Sequence, residues 1–421
     1  MNGLLKFESK NMSSITTFLE NNNQDFLIEK SSVMTTRAKS NLQTEILVGG
    51  VEIIEKLSVE WTILCEEGAS NEPFFRPEWF AAFVKNFEAK VILLTVRREG
   101  KLRAVLPLML RKGMLHGVPV RKLQAVFNLQ TQRFDLIHGA DETERQEIIK
   151  ILWQEIKKQP KWDVLEMRLV KKDSWLNDLL TLAASENHQT GIWQMDGAPF
   201  VTLPKGKDKE KLIDEHFKGL KKHFRQELKR RLRRLKELGR VEFVLTRGYR
   251  TELMQKYFEL EAQSWKGESG TAVLCDKNAV GLHDDFARTV AAQDALLIYE
   301  LKLDGKVIAM SINIMYEQRT VFWKTSFDKT YARFSPGNLV IQEFLGDCIR
   351  NGSSELDMLS PATDYKKVWA SGEREHAAFY VFRRGIIGNM LWSWKFFILS
   401  RLRRFKKTQP IRAMSKLLLR K

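Results

Sequence analysis

The chain has 421 residues, 43% of them hydrophobic and 10% aromatic, with a formal net charge of +17 at pH 7. That length suits two ordinary cores rather than one, and that composition excludes wholesale disorder. No apolar run reaches the ~18 residues a spanning helix needs, and three widely separated cysteines (Cys65, Cys275, Cys348) exclude a disulfide framework and a zinc knuckle.

The first 44 residues are rich in Asn, Ser and Thr and show no basic start, apolar stretch or small-residue cleavage site. They read as a poorly ordered tail of a cytoplasmic protein rather than a secretion leader. An aromatic helical stretch, PEWFAAFVKNF, then leads into residues 91–110, VILLTVRREGKLRAVLPLML. Two apolar arms around an acid-Gly pair predict a β-hairpin whose tight turn needs positive φ. A loop, a helix near 142–158 and the strand WDVLEMRLV follow.

The same order recurs further on. Residues 296–315, LLIYELKLDGKVIAMSINIM, repeat the hairpin at a constant offset of 205: Gly100 matches Gly305, Lys101 matches Lys306 and Ala104 matches Ala309. Before this second hairpin lies TELMQKYFELEAQSW; after it come VFWKTSFD as a third strand, a helix near 338–351 and the strand ELDML. An internal repeat of this size predicts a tandem α+β architecture, with copies at 45–204 and 205–385.

The copies differ at the start of their crossover helices. The second enters its helix through Phe334-Ser335-Pro336-Gly337-Asn338-Leu339, with Arg333 just upstream. A glycine there lets backbone approach a ligand, and a helix N-terminus offers N–H groups to an anion. The first copy has Gly139-Ala140-Asp141-Glu142-Thr143-Glu144, whose carboxylates would repel a phosphate.

Charge is concentrated in two places. From Lys205 to Arg240 there are fifteen Lys/Arg against six Asp/Glu; from Arg383 to Lys421 there are twelve Lys/Arg and no acid. Against the total of +17, the rest of the chain is slightly acidic. The first cluster lies on an expected amphipathic helix over 208–238, whose apolar residues fall every three or four positions from Ile213 to Leu238. No aromatic residues interleave its basic face, which argues against stacking on single-stranded RNA. The second lies in a C-terminal extension, 386–421, where Met390, Leu391, Trp392, Trp394, Phe396, Phe397, Ile398 and Leu399 precede RLRRFKK. Such a segment either packs on the body or lies on an anionic membrane surface as a peripheral attachment, and both readings stay open.

The segments PEWFAAF, KKHFRQELKRRLRRLKELG with the strand VEFVL, LEAQSWKG, LDGKVIAMSINI, KTSFD, FSPGNLVIQEFL and LDMLSPATDYKKVW, in that order, resemble the CelD-like acyltransferases associated with bacterial exopolysaccharide operons. That family is related more distantly to the FemABX transferases, built from two GNAT domains. The resemblance covers about residues 50–382. It implies tandem GNAT-like domains, an acyl-CoA donor (acetyl-CoA first), and an amine or hydroxyl acceptor on a saccharide or lipid-linked precursor. It also implies a cofactor loop at Ser335, Pro336, Gly337 and Asn338. Two alternatives stand beside it: aminoacyl transfer from charged tRNA, the one reading that takes a nucleic acid, and a non-catalytic part of a polysaccharide synthase complex.

Acyl transfer from a thioester needs a deprotonated acceptor, an oxyanion partner and a proton for the leaving thiolate. In the GNAT fold the oxyanion partner is a backbone N–H on the strand before the cofactor loop, here within Lys324 to Asp328. Asp357 and Glu261 are the candidate bases, with burial expected to raise their pKa, and Tyr365 is the candidate proton donor. Trp265, Lys324, Lys366 and Arg225 are candidate substrate contacts, with Lys366 facing either a phosphate or Asp357 and Trp265 equally suited to a core. His376 has no assigned role. No metal is expected, because neither an HExxH pattern nor paired cysteines occur, and no nucleophile elbow or P-loop supports a hydrolase or NTPase.

Overall fold

A computed structural model describes residues 34–37, 41–68, 71–139 and 142–398. In the first half β1 (Met34–Arg37) and β2 (Leu42–Gly49) precede α1 (Val51–Glu67) and α2 (Pro77–Asn86). β3 (Val91–Arg98), β4 (Lys101–Leu115), β5 (Val118–Ala125) and β6 (Ile137–His138) follow, then α3 (Arg145–Lys158), β7 (Val164–Lys171), α4 (Leu176–Ser185) and β8 (Thr190–Gln194). Past β9 (Ala198–Thr202) come α5 (Lys209–Gly219), α6 (Lys222–Lys236) and β10 (Val241–Arg247). The series α7 (Thr251–Ala262), α8 (Trp265–Glu268), α9 (Lys277–Ala292), β11 (Leu296–Leu303), β12 (Lys306–Tyr316) and β13 (Arg319–Phe327) comes next. The chain then forms α10 (Pro336–Arg350), β14 (Glu355–Asp357), α11 (Asp364–Lys367), β15 (Gly372–Arg374), β16 (His376–Phe382) and α12 (Ile386–Trp392), with a π-helical turn at Ser393–Ile398.

The repeat holds in the backbone. Both hairpin turns place acid and glycine in left-handed conformation, Glu99 (φ 51°) with Gly100 (φ 79°) and Asp304 (φ 47°) with Gly305 (φ 77°), as a two-residue hairpin turn requires. The register matches as well. Val96 faces Ala104 and Leu301 faces Ala309, and a bulge follows immediately in each strand, after Val96 and after Leu301.

Strand order is β1-β2-β3-β4-β5-β7-β16-β8 in the first sheet, with β6 also pairing β4, and β10-β11-β12-β13-β14-β9-β15 in the second. This corrects the expected division at 204/205. β9, from the first half of the chain, lies between β14 and β15 in the second sheet; β16, from the end of the second half, lies between β7 and β8 in the first. Each copy lends the other one interior strand. Both are apolar on alternate or all positions, so either sheet would accept them by composition; their place is fixed by what flanks them.

Three layers of apolar side chains position the rest. α3 and α4 cover one face of the first sheet, and α10 with the basic helices covers one face of the second. The remaining faces share a core in which α1 and α2 meet α7 and α9, with Trp79 edge-on to Phe286 at 5.0 Å. The α12 segment covers the β5-β7-β16-β8 part of the first sheet.

Two further expectations are corrected. The basic segment is not one helix over 208–238: it breaks after Gly219, where Leu220 is extended (ψ 155°), and restarts at Lys222. Glycine is a poor helix former, and because both helices lie on the same core the three-and-four spacing of apolar residues runs unbroken through the gap. The tail expected to run to residue 44 ends earlier, since β2 begins at Leu42; residues 1–33 lie outside the described ones, as do 399–421 of the C-terminal extension. No helix among the described residues is long and apolar enough to cross a membrane.

Candidate active site

The second sheet opens beside its fourth strand. β13 pairs in parallel with β14 only from Arg319 to Val321, against Glu355 to Asp357, and then runs on to Phe327. Its other edge pairs with β12 on both sides of a bulge at Trp323, including Ile312 opposite Lys324 and Ala309 opposite Phe327. The backbone from Phe322 to Phe327 therefore has one edge with no strand partner among the described residues. Of the expected oxyanion donors, Lys324 to Phe327 fall there, while Asp328 N donates to Ile308 O at 2.8 Å.

The chain leaves this strand through a 3-10 turn (Lys329–Phe334) and enters α10 at Ser335, a non-glycine residue in left-handed conformation (φ 47°, ψ 55°). Pro336 takes the first helical position, where its missing N–H costs nothing. The Asn338 side-chain oxygen accepts a bond from Trp369 Nε1 at 3.0 Å, tying the helix start to the segment after α11. A Cβ added at Gly337 would meet only Phe327, at 3.5 Å, so the protein itself does not demand glycine there. Arg333 is exposed, its guanidinium stacked 4.8 Å from the Phe334 ring. Phe224 on α6 packs edge-on to Trp369 at 4.8 Å, which brings its neighbour Arg225 to the same end of the fold. No bond holds the Arg225 Nε, which is buried.

Glu261 is buried at the end of α7. Its carboxylate accepts bonds from Lys266 Nζ (2.6 Å), Tyr257 OH (3.0 Å) and Val273 N (2.9 Å). Burial would push its pKa up, but Lys266, Lys324 and these bonds outweigh it and hold the group at about 2. The expectation of a raised pKa is thus reversed for Glu261: desolvation loses to paired charge, and a carboxylate so satisfied is a poor base.

Asp357 is also committed. It is 3% exposed, pairs with Arg133 of the first copy, lies 3.6 Å from Arg374 and accepts from Leu359 N at 2.9 Å. Arg133 in turn bonds Glu72 at 2.7 Å, which Lys171 contacts at 2.6 Å. Arg133, Glu72 and Asp357 are buried at the centre of this network, which joins the two copies.

Three amines gather near Glu261 from three elements. Lys266 opens α8, Lys324 lies on β13 and Lys366 on α11. Burial drives Lys324 down to about 8 against the pull of Glu261, with Lys266 adding repulsion. Burial likewise drives Lys366 to about 8, helped by Lys266 and Lys324 and opposed by Asp357. Lys366 Nζ donates to Leu359 O at 3.0 Å, whereas Lys324 Nζ has only Gln130 of the first copy, at 3.4 Å. Tyr365 is 37% exposed, and burial pushes its phenol up to about 12, so it keeps its proton. Trp265 begins α8, but its side chain lies outside the described residues. His283 stacks 5.3 Å from Trp323 and its Nδ1 donates to Ala279 O at 2.7 Å; burial depresses its pKa strongly, which keeps the ring neutral. His376 is fully buried, and burial with nearby Arg133 holds it at about 4.

The structure thus brings Glu261, Lys324, Lys366, Tyr365 and Asp357 to one end of the second sheet. Ser335 to Asn338 reach it through Trp369, while Arg333 points outward. Lys266, Gln130 and Arg133 were not among the expected residues. Lys266 stood inside the SWKG segment; Gln130 and Arg133 come from 194 and 224 residues away from their partners, with no local signal. Among the described residues, no group of three or more His, Cys, Asp or Glu could hold a metal.

In the first copy the acids at the helix start serve as ion-pair partners. Glu144 pairs with Arg98 and Arg103, and Glu142 with Arg145. Ala140 and Asp141 lie outside the described residues.

Residues 222–367 match the family described as acetyltransferase (GNAT) domain. No curated protein matches the chain by sequence. Among solved structures, the crystal structure of FemX is similar at 12% identity over 75% of this chain and 92% of that one, with a TM-score of 0.51. The C-terminal domain of a putative lysylphosphatidylglycerol synthetase from Agrobacterium fabrum (11% identity, 80% and 95% covered) reaches 0.47. A tandem GNAT protein from the clavulanic acid biosynthesis pathway (9%, 82% and 100%) reaches 0.45. With two sheets of matching register and a GNAT segment in the second, the chain has a tandem GNAT-type α+β fold.

Proposed function

We propose that this protein is an acyltransferase that moves an acyl group from acyl-CoA, acetyl-CoA first, to an amine or hydroxyl. The observation that carries the reading is the unpaired edge of β13 next to the α10 entrance, with Lys324 on that strand. A thioester lying along that edge would set its carbonyl against free backbone N–H groups, and its phosphates toward the N-terminus of α10.

Chemistry follows from the side chains that are not already spent. Glu261 and Asp357 hold cations, which leaves Lys324 as the half-buried group on the open strand whose basicity lies closest to neutral. The acceptor's nitrogen or oxygen bonds to the thioester carbon, its proton passes to Lys324, the carbon–sulfur bond breaks, and the Lys324 ammonium returns the proton to the departing thiolate. The resemblance to CelD-like acyltransferases supports a saccharide or lipid-linked precursor as acceptor. Titration calorimetry of the whole chain with acetyl-CoA tests the donor: binding at micromolar to millimolar ligand supports the reading, and no heat at millimolar ligand contradicts it.

The reading with charged tRNA as donor is favoured by one feature, the exposed Lys218, Lys221, Lys222, Lys229, Arg233 and Lys236 along α5 and α6. Charged tRNA binding that weakens steeply with salt, without acyl-CoA binding, would select it.

A further inference from the structure

α12 and the turn after it are anchored by one face. Leu391 is buried against the first sheet, and Trp392 Nε1 donates to Thr190 O at 2.8 Å. The Phe396 ring stands edge-on to Tyr380 at 5.8 Å and lies so close over Gly191 that any Cβ there would collide with it. Lys395 is buried, its ammonium 4.1 Å from the Tyr380 ring centre and 3.0 Å from His116 Nε2. Aromatic faces stabilise a desolvated cation, so this lysine fixes the turn rather than serving solvent.

The other face is apolar and open. Ile386 is 79% exposed, Ile387 67%, Met390 67%, Phe397 51% and Ile398 42%. These positions recur with helical spacing, so they share one side of the element. Soluble surfaces carry single exposed aliphatic residues freely, but Ile386, Ile387, Met390 and Ile398 along one anchored element form a patch that calls for a partner. Arg383 and Arg384, both exposed, stand at its start. From His376 to Lys421 the sequence contains no acidic residue.

We propose that this face docks the protein on an anionic bilayer surface, with the apolar residues entering the headgroup region and the arginines meeting lipid phosphates. Charge decides among the occupants. A second copy of the chain would bring two acid-free segments, each with twelve Lys/Arg between Arg383 and Lys421, against each other. Its own residues 399–421, nine of them basic and none acidic, would add like charge to Arg383 and Arg384. A negatively charged lipid surface complements both the arginines and the apolar side chains. This inference stands apart from the acyl-transfer reading, since no residue of the patch belongs to the second sheet.

The test is co-sedimentation of the whole chain with vesicles of phosphatidylcholine alone and with phosphatidylglycerol added, for the wild type and an Ile386→Asp/Ile387→Asp/Met390→Asp variant. The wild type is expected to bind the anionic vesicles at least tenfold better than the neutral ones. The variant, whose changed residues are exposed, should keep its Tm and acetyl-CoA affinity and lose tenfold or more in anionic-vesicle binding. Wild type that stays in the supernatant overturns the proposal. So does a variant that binds like wild type, which would give the contact to the basic residues alone. A wild-type dimer that the variant converts to monomer also overturns it, in favour of a second copy.

Discussion

The two copies keep one register through their hairpins and part at the next strand. In the second copy β13 stays along β12 past a bulge at Trp323, so that Phe327 faces Ala309 and Ser326 faces Met310. In the first, β5 ends at Ala125 opposite Leu108, the chain leaves for residues 126–136, and β6 returns to put His138 opposite Ala104 and Ile137 opposite Val105. With the offset of 205, the two-residue β6 fills the place of Phe327 and Ser326. The excursion between buries Phe134 and Leu136, and Phe134 N donates to Leu169 O on β7. The opening kept beside β13 is thus occupied in the first copy by its own chain.

The side chains change with it. Val126 N meets Pro107 O where Lys324 stands opposite Ile312. Met167 faces Phe379 as Asp357 faces Phe200, and each precedes by two a leucine with φ of 58°, Leu169 and Leu359. A lysine and a carboxylate in one copy therefore correspond to valine and methionine in the other. The fold survives loss of the opening, because the layers that stabilise it do not depend on it. The excursion also lets the first copy support the second, since it carries Gln130 to Lys324 and Arg133 to Asp357.

The largest expected effect is on Lys324. Lys324→Met should lower kcat on the order of 10²–10⁴-fold and remove a rise in rate as pH increases through about 8. The same substitution should raise Tm by about 2–4 °C, since the buried ammonium is destabilising below its folded-state pKa and that penalty is relieved only as pH climbs toward 10.5. A rise in rate that persists in the variant would put the titrating group elsewhere.

Next comes the seam. Asp357→Leu leaves Arg133 with Glu72 alone and should cost about 3 kcal/mol of stability by thermal or urea unfolding. Adding Arg133→Met should recover part of it. If Asp357→Leu instead left stability intact and abolished turnover, Asp357 would be the base and its pairing incidental.

Gly337→Val should leave folding unchanged, because a Cβ there touches only Phe327. Donor affinity should fall by about tenfold or more, equivalent to about 1.4 kcal/mol. An unchanged donor Kd would remove Gly337 from the cofactor site.

Glu261 bears on acid stability rather than on turnover or donor binding. Its depressed pKa contributes stability that is present above about 4.5 and lost as pH falls through about 2. Glu261→Gln should flatten that part of the acid-unfolding curve, with a loss near neutral pH of about 2 kcal/mol. An acid limb unchanged in the variant would show that Glu261 does not carry it.

Local features were legible in the sequence. The acid-Gly pairs named both hairpins, and Ser335 to Asn338 named the helix entrance, because turns and helix starts have local chemistry. What was hidden depends on distance. Nothing within Phe200 or Phe379 says which sheet its strand joins, and nothing in Arg133 announces Asp357. The spacing of Phe217, Leu220 and Phe224 suits one helix as well as two on a common core. Glu261 was expected to have a raised pKa and has a lowered one, since its cationic partners Lys266 and Lys324 come from other elements.

The sharpest test of the asymmetry is the stoichiometry of acetyl-CoA binding to the whole chain, measured by titration calorimetry for wild type and Gly337→Val. One site per chain, weakened in the variant, is the expected result. Two sites, or one site untouched by the substitution, would contradict it.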